Sequence, residues 1–135
     1  MTPAHAHPPL TRNQSLVYTA LTRAPGPLSA YTILDNLREE GLRAPLQVYR
    51  ALDKLVVIGL VHRLESLNAF VACHHGHGDH DAAVFAICEH CGKVLELSDD
   101  ATIHRLETLA RDVDFAVAKT TIELRGRCAA CAAAA

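Results

Sequence analysis

The chain has no tryptophan, a single methionine and only three phenylalanines and three tyrosines among its 135 residues. Since half of the residues are nevertheless apolar, the core has to be built mainly from aliphatic side chains. No stretch approaches the roughly 20 consecutive apolar residues that a membrane-spanning helix needs. The first nine residues lack the basic and hydrophobic pattern of a secretion signal, and we expect them to be a flexible lead-in. These absences predict a cytoplasmic protein without a membrane span.

Cysteine is also scarce, but its placement is informative. Four of the five cysteines form two Cys-x-x-Cys pairs, Cys88/Cys91 and Cys128/Cys131, with 36 residues between the pairs. In a reducing compartment these thiols stay available for metal. Four thiolates on two chelating turns are the ligand set of a closed tetrahedral zinc site, and Gly92 allows the tight bend after the first pair. A redox dithiol and cysteines that merely pack are the alternatives, but a second pair favours structural zinc.

Charge separates the two halves of the chain. The net charge is −2, which argues against a nonspecific nucleic-acid binder. Residues 1–75 carry a net charge of +2, whereas residues 76–135 carry −4. This split fits a DNA-reading half joined to a half with another task, although solvated faces produce similar asymmetries.

The first half predicts three helices followed by a hairpin. The first helix starts with a capping box of Thr11 and Gln14, the second is capped by Ser29 and stops at Gly41, and the third runs from Pro45 to Gly59. Strands over 60–64 and 69–73 then flank a turn. Because this is the element order of a winged helix, we predict a DNA-binding domain over 1–73.

The polar face of the third predicted helix is the candidate DNA-reading surface. Gln47, Arg50 and Lys54 lie opposite the apolar stripe, where Arg50 is able to pair with guanine, Gln47 with adenine and Lys54 with phosphate. Tyr49 flanks them and either reaches a phosphate or packs. An ordinary polar helix face is the alternative, and the order of the elements favours DNA binding.

The second half is predicted as a histidine-rich hinge over 74–82 followed by a dimerisation and metal-binding domain over 83–135. The pattern predicts strands over 83–87, 93–97 and 116–124, a helix beginning at Ser98 or Asp99, and a tail that frays after Cys131. A domain of about fifty residues is small for a core of its own. We therefore expect bound zinc and pairing with a second copy to stabilise it.

Several segments resemble the Fur family of bacterial metal-sensing repressors. They include Val48-Tyr49-Arg50-Ala51-Leu52-Asp53, the wing from Gly59 to Cys73, and the two cysteine knuckles, and the likeness covers about residues 10–131. The resemblance implies an α+β chain in which a winged-helix domain precedes a small α/β dimerisation domain with a four-cysteine zinc site. The wing pattern is most like that of the family's zinc-responsive members.

The resemblance also implies roles for particular residues. Cys88, Cys91, Cys128 and Cys131 would hold structural zinc. His62, Cys73, His80 and Glu96 would bind a second, regulatory zinc, with His74, His75 or His77 as alternatives to His80. Tyr49 and Arg50 match the DNA-contacting pair of the family.

The implied function is zinc-responsive repression of zinc uptake genes by a homodimer on a palindromic operator, with two Zn²⁺ per subunit and no other small-molecule substrate. A family member that senses iron, nickel or peroxide is the nearest alternative, and Cys73 argues against it because those sensors favour nitrogen and oxygen ligands. A zinc enzyme would need an open coordination position and a general base, and no His-Glu-x-x-His motif is present. A zinc buffer or chaperone would leave the polar face of the third helix without a use.

Overall fold

Helices and strands fall into two groups along the chain, of which the computed structural model describes residues 8–73 and 82–133. The chain divides into two compact units, residues 1–78 and 79–135. Most of the predicted lead-in and all of the predicted hinge except Ala82 lie outside the described residues. Within those residues, none of the helices has the length and apolar character that a membrane crossing demands.

Three α-helices form the body of the first unit. They are α1 (Arg12–Arg23), α2 (Ala30–Leu37) and α3 (Pro45–Val57). The predicted caps are confirmed: Gln14 N donates to Thr11 Oγ1 at 3.2 Å, Thr11 N donates to Gln14 Oε1 at 3.0 Å, and Thr32 N donates to Ser29 Oγ at 3.1 Å. Each of these bonds satisfies a backbone donor that has no partner within its helix.

The second helical segment stops at Gly41, as predicted, although its last turn is not α-helical. It continues after Leu37 as a short 3-10 helix over Arg38–Glu40, and the chain then turns at Gly41 with φ 104°. This left-handed conformation costs glycine little because it has no Cβ. Leu42 follows the turn and is fully buried, so the bend returns the chain to the core.

The core of the first unit is aliphatic, as the composition predicts. Phe70 is its one buried aromatic residue within the described part of the chain. The residues at the centre of the core are Val17, Ile33, Leu34, Leu42, Val48, Leu52, Leu55 and Val61. The buried residues of α3 are those of the predicted apolar stripe. The opposite face of α3 therefore points away from the core.

A two-stranded antiparallel hairpin completes the first unit. Strand β1 (Val61–Leu64) pairs with β2 (Ala69–Ala72), and Val61 lies opposite Ala72. The turn contains Asn68 at φ 48°, a conformation that asparagine tolerates better than most residues. Leu28 forms an isolated bridge to Phe70 and ties the hairpin to the helices. Three helices followed by this hairpin confirm the predicted winged helix.

The second unit contains a three-stranded sheet and two helices. The elements are β3 (Ala82–Cys88), β4 (Val94–Leu97), α4 (Asp100–Arg111), β5 (Thr120–Gly126) and α5 (Ala129–Ala133). The strand order is β4-β3-β5, with β4 antiparallel and β5 parallel to the central β3. The helix α4 lies in the crossover connection that a parallel pair requires.

Two predictions for the second unit are wrong in detail. The last strand runs over Thr120–Gly126 rather than 116–124, because it is defined by pairing with β3, in which Ala82 faces Thr120 and Cys88 faces Gly126. The alternation that suggests an earlier start is a local pattern and does not report where the partner strand begins. The tail does not fray directly after Cys131: α5 continues to Ala133, as its alanine-rich sequence allows.

Candidate metal centre and nucleic-acid interface

The four paired cysteines meet at one edge of the sheet in the second unit. Cys88 ends β3 and Cys91 follows in the turn, whereas Cys128 follows β5 and Cys131 lies in α5. Because β3 and β5 are parallel, their carboxyl ends lie at the same edge, and both Cys-x-x-Cys turns leave the sheet there. The topology therefore assembles the cluster from segments that are distant in sequence.

The sulfur atoms have the spacing of a tetrahedral zinc site. The four Sγ atoms all lie within 4.8 Å of one another, and Cys91 Sγ is 3.8 Å from Cys128 Sγ. With a Zn–S bond of about 2.3 Å, two ligands of a regular tetrahedron are about 3.8 Å apart. Four soft thiolate donors at this spacing fit Zn²⁺.

Backbone hydrogen bonds stabilise the first cysteine knuckle, the turn from Cys88 to Gly92. Gly92 N donates to Cys88 O at 2.9 Å, Cys88 N donates to Lys93 O at 2.9 Å, and Gly92 takes φ 81°. Glu89 N donates to Gly126 O at 2.8 Å, which links this turn to the end of β5. The turn that carries Cys88 and Cys91 is therefore tied by backbone hydrogen bonds to the end of β5.

The thiols of the cluster differ in acidity. Backbone N–H groups of Cys128 and then Cys91 stabilise the thiolate of Cys88 and lower its pKa to about 5. The backbone N–H of Cys131 lowers the pKa of Cys128. Hydrogen bonding to the Cys128 sulfur, together with burial, raises the pKa of Cys131 to about 12. Hydrogen bonds within the cluster therefore favour the thiolate form of Cys88 and Cys128 and the protonated form of Cys131.

Two of the predicted regulatory ligands lie together in the first unit. His62 belongs to β1 and Cys73 follows β2, with exposed fractions of 5% and 7%. A ring nitrogen of His62 lies within 4.8 Å of Cys73 Sγ. Cys73 N donates to Leu60 O at 2.8 Å, which fixes the end of the wing. This imidazole and thiol supply half of the predicted ligand set.

The other two predicted regulatory ligands lie outside that wing. Glu96 is half-buried on β4 of the second unit. His80, like the alternatives His74, His75 and His77, lies outside the described residues.

The predicted DNA-reading face of α3 is partly as expected. Arg50 and Lys54 are exposed, and neither forms an ion pair within residues 8–73 and 82–133. Tyr49 is half-buried and packs against the core of the first unit. Its ring therefore has a structural contact, in line with the packing alternative for this residue.

Gln47 has a role that the sequence pattern does not indicate. Its Oε1 accepts hydrogen bonds from Arg43 N at 2.8 Å and Ala44 N at 3.1 Å, so it caps the start of α3. A bidentate contact to adenine needs both the amide oxygen and the amide NH₂. The cap and the predicted adenine contact use the same oxygen, so Gln47 cannot make both at once; the adenine contact stays a prediction.

Leu46 is the residue of this surface that sequence reasoning missed. It lies in the first turn of α3 and is 57% exposed. The spacing of Leu46, Arg50 and Asp53, at i, i+4 and i+7, places them on one helix face. That spacing is visible in the sequence, but hydropathy alone assigns an apolar residue to the core.

Comparison with known proteins identifies the family. The model of the ferric uptake regulator family matches residues 10–125. The zinc uptake regulation protein of Escherichia coli (strain K12) is 41% identical over 124 residues, which are 90% of this chain and 72% of that protein. The protein of the same name from Shigella flexneri matches to the same extent.

Solved structures agree with these matches. The crystal structure of holo XcZur has a TM-score of 0.83 and 42% identity, covering 92% of this chain and 86% of that one. A zinc uptake regulator complexed with zinc and DNA has a TM-score of 0.85 and 38% identity, covering 93% of this chain and 85% of that one. The chain belongs to the ferric uptake regulator family.

Proposed function

We propose that this protein is a zinc-responsive transcriptional repressor of zinc uptake and homeostasis genes, and not an enzyme. The observation that carries the proposal is the likeness, at 38% identity and a TM-score of 0.85, to a zinc uptake regulator in complex with zinc and DNA. The family membership and the 41% identity to a zinc uptake regulation protein support the same function.

The first zinc is structural and is held by Cys88, Cys91, Cys128 and Cys131. The sulfur spacing supports this role, and a closed set of four thiolates leaves no open position for a substrate. This ion fastens α5 and the end of β5 to the knuckle that follows β3. Its contribution is to the stability of the second unit.

The second zinc is the signal. Its proposed ligands are His62 and Cys73 of the wing, with His80 and Glu96 completing the set. The burial of His62 and Cys73 and the closeness of their donor atoms support this assignment. A thiolate among the ligands favours zinc over harder metals, which distinguishes this proposal from a sensor of iron or manganese.

The mechanism is a shift between conformations rather than a change of chemistry. Zinc selects the arrangement that binds DNA because its ligands come from the wing and from the segments after it. A change from one to ninety-nine per cent competent protein requires roughly 5.5 kcal/mol of preferential binding to that arrangement.

The DNA-reading surface is the outer face of α3. Arg50 is proposed to contact guanine and Lys54 to contact phosphate, while the hydroxyl of Tyr49 and the free NH₂ of Gln47 make flanking contacts. The exposure of Arg50 and Lys54 supports these roles, since a buried or paired cation would not be available.

The second unit is proposed to pair with a second copy. Within residues 82–133, eight large apolar side chains are exposed, which favours a partner that covers them. They are Leu95, Leu97, Leu106, Leu109, Val113, Phe115, Val117 and Leu124. A symmetric dimer would place two α3 helices for successive major grooves, about 34 Å apart, on a palindromic operator.

The test is a mobility shift with the zinc-loaded and the zinc-depleted protein. A palindromic duplex selected from a randomised pool is titrated across buffered free zinc, and metal is counted per chain. We expect two tight zinc ions per chain and binding only when the exchangeable one is present. Cys73→Ser is expected to remain a folded dimer with one zinc and to lose the zinc response.

Each alternative gives a different result in the same experiment. A stronger response to iron(II) or manganese(II) than to zinc would indicate a sensor of another metal. Zinc uptake without a shift of any duplex would indicate a buffer. Equal affinity of the zinc-depleted and fully loaded forms would refute the proposed switch.

A further inference from the structure

Leu46 occupies the centre of the outer face of α3. Helix geometry of about 100° per residue aligns it with Arg50, Asp53 and Val57, opposite the buried stripe of Val48, Ala51, Leu52 and Leu55. Gln47 and Tyr49 lie at the two flanks of this face. A single exposed leucine needs no explanation on an ordinary surface, but this one lies in the first turn of the helix proposed to enter the major groove.

The start of α3 is held rigidly around this leucine. The two hydrogen bonds to Gln47 Oε1 and the bond from Gln47 N to Ala44 O at 3.0 Å fix the backbone from Arg43 to Gln47. Pro45 further restricts this turn because its φ is locked. Leu46 is therefore presented on a preformed backbone, and its truncation removes no contact of the buried core.

Only one group in the major groove is apolar enough to match this side chain. Guanine, cytosine and adenine present hydrogen-bonding groups, whereas thymine adds a 5-methyl group. The N-terminal residues of a recognition helix are those that reach the base edges. An A·T pair is thus readable here through its thymine methyl, while the adenine contact expected from Gln47 needs the oxygen that the cap uses.

We propose that Leu46 is a specificity-determining residue that contacts the 5-methyl group of a thymine in each half-site. Arg50 lies one helical turn away, a rise of about 6 Å, and stacked bases are about 3.4 Å apart. The thymine is therefore expected within about two base pairs of the guanine that Arg50 contacts. This inference rests on the proposed DNA-binding function and adds a base preference to it.

The experiment removes the methyl group from the DNA and the leucine from the protein in turn. Each thymine of the selected duplex is replaced by deoxyuridine, which keeps base pairing, and affinity for the zinc-loaded full chain is measured by fluorescence anisotropy. When the contacted thymine of a single half-site is replaced, the affinity of the wild type is expected to fall about fourfold, which corresponds to the loss of one buried methyl group. Leu46→Ala is expected to bind the thymine duplex several-fold more weakly and to show no loss on deoxyuridine substitution there.

Val57→Ala is the matched control, because Val57 is 79% exposed on the same face but lies in the last turn of α3. It should keep the wild-type affinity and the wild-type response to deoxyuridine. Discrimination between thymine and deoxyuridine that persists in Leu46→Ala would overturn the assignment of Leu46 alone. Failure of the zinc-loaded wild type to bind any duplex would overturn the proposed function as well, so the two failures are distinguishable.

Discussion

Cys91 Sγ and Cys128 Sγ lie 3.8 Å apart although 37 positions separate them in the sequence. Their approach depends on the parallel pairing of β3 and β5 and on the two knuckle turns that leave the sheet at one edge. Zinc bound by these four cysteines would join the turn after β3 to the segment after β5. The stability of the second unit should therefore depend on every thiolate of the cluster.

Cys128→Ser is expected to remove the structural zinc and to destabilise the second unit. Structural zinc contributes about 10–16 kcal/mol of apparent binding energy to folding in small domains, comparable to or larger than a typical domain's net stability. We expect about one zinc fewer per chain by elemental analysis and loss of the cooperative unfolding transition of that unit in circular dichroism. Cys73→Ser is the control for the transition: it should also bind one zinc fewer, but it should keep the structural ion and therefore the unfolding transition of the second unit. An unchanged transition in Cys128→Ser would contradict a structural role.

Zinc binding to the four-cysteine cluster is expected to release protons. In the metal-free protein, Cys131 with its pKa raised to about 12 carries a proton at pH 7, whereas Cys88 with its pKa lowered to about 5 is a thiolate. Zinc binds thiolates, so the affinity of the cluster for zinc rises with pH as long as Cys131 is protonated in the metal-free protein. As the pH is lowered below about 5, the affinity falls more steeply because Cys88 is protonated too. Calorimetry in buffers of different ionisation enthalpy should give at least one proton per zinc at pH 7, and a buffer-independent heat would contradict this.

Thr11→Ala is expected to lower the free energy of unfolding of the winged helix by about 1 kcal/mol. The substitution removes the hydroxyl that accepts from Gln14 N and disrupts the reciprocal capping box. Urea unfolding followed by circular dichroism measures the change. Thr19→Ala, at an exposed position of the same helix, is the control and should leave stability unchanged or slightly raised; an equal loss in both variants would argue against the cap.

Gln47→Ala is expected to cost about 1 kcal/mol of stability because two backbone donors lose their acceptor. Gln47→Glu should retain most of that stability, since a carboxylate accepts the same bonds and a negative charge is favourable at a helix N-terminus. Thermal unfolding of the zinc-loaded protein distinguishes the two variants. If both variants had the same melting temperature as the wild type, Gln47 would not stabilise the start of α3.

Much of the first unit is predictable because its signals are local. Thr11, Gln14 and Ser29 cap helices through bonds that span three residues, and the apolar stripe of α3 follows from helical periodicity alone. The change from α-helix to 3-10 helix after Leu37 is not indicated by any of these local signals.

Around the candidate sites, the types of residue are predictable but their partners are not. The spacing of the cysteines indicates zinc ligands without showing how two distant pairs meet. A helical projection predicts Gln47 as a base-contacting residue, whereas its oxygen is taken by the preceding backbone. The exposure of Leu46 is not predicted, because the hydropathy of a residue does not report its burial.

Local sequence was sufficient to predict the helices of the first unit, the wing, the metal-binding residue types and the resemblance to a family, since each of these depends on neighbours within a few positions. Long-range contacts set the parallel register that begins β5 at Thr120 and brings the four sulfurs together. Folding also set the hydrogen-bond partners of polar atoms at the start of α3, where the Gln47 oxygen accepts from the preceding backbone. The register follows from pairing between strands that are distant in the chain, and a pattern of neighbouring residues carries no information about such pairing.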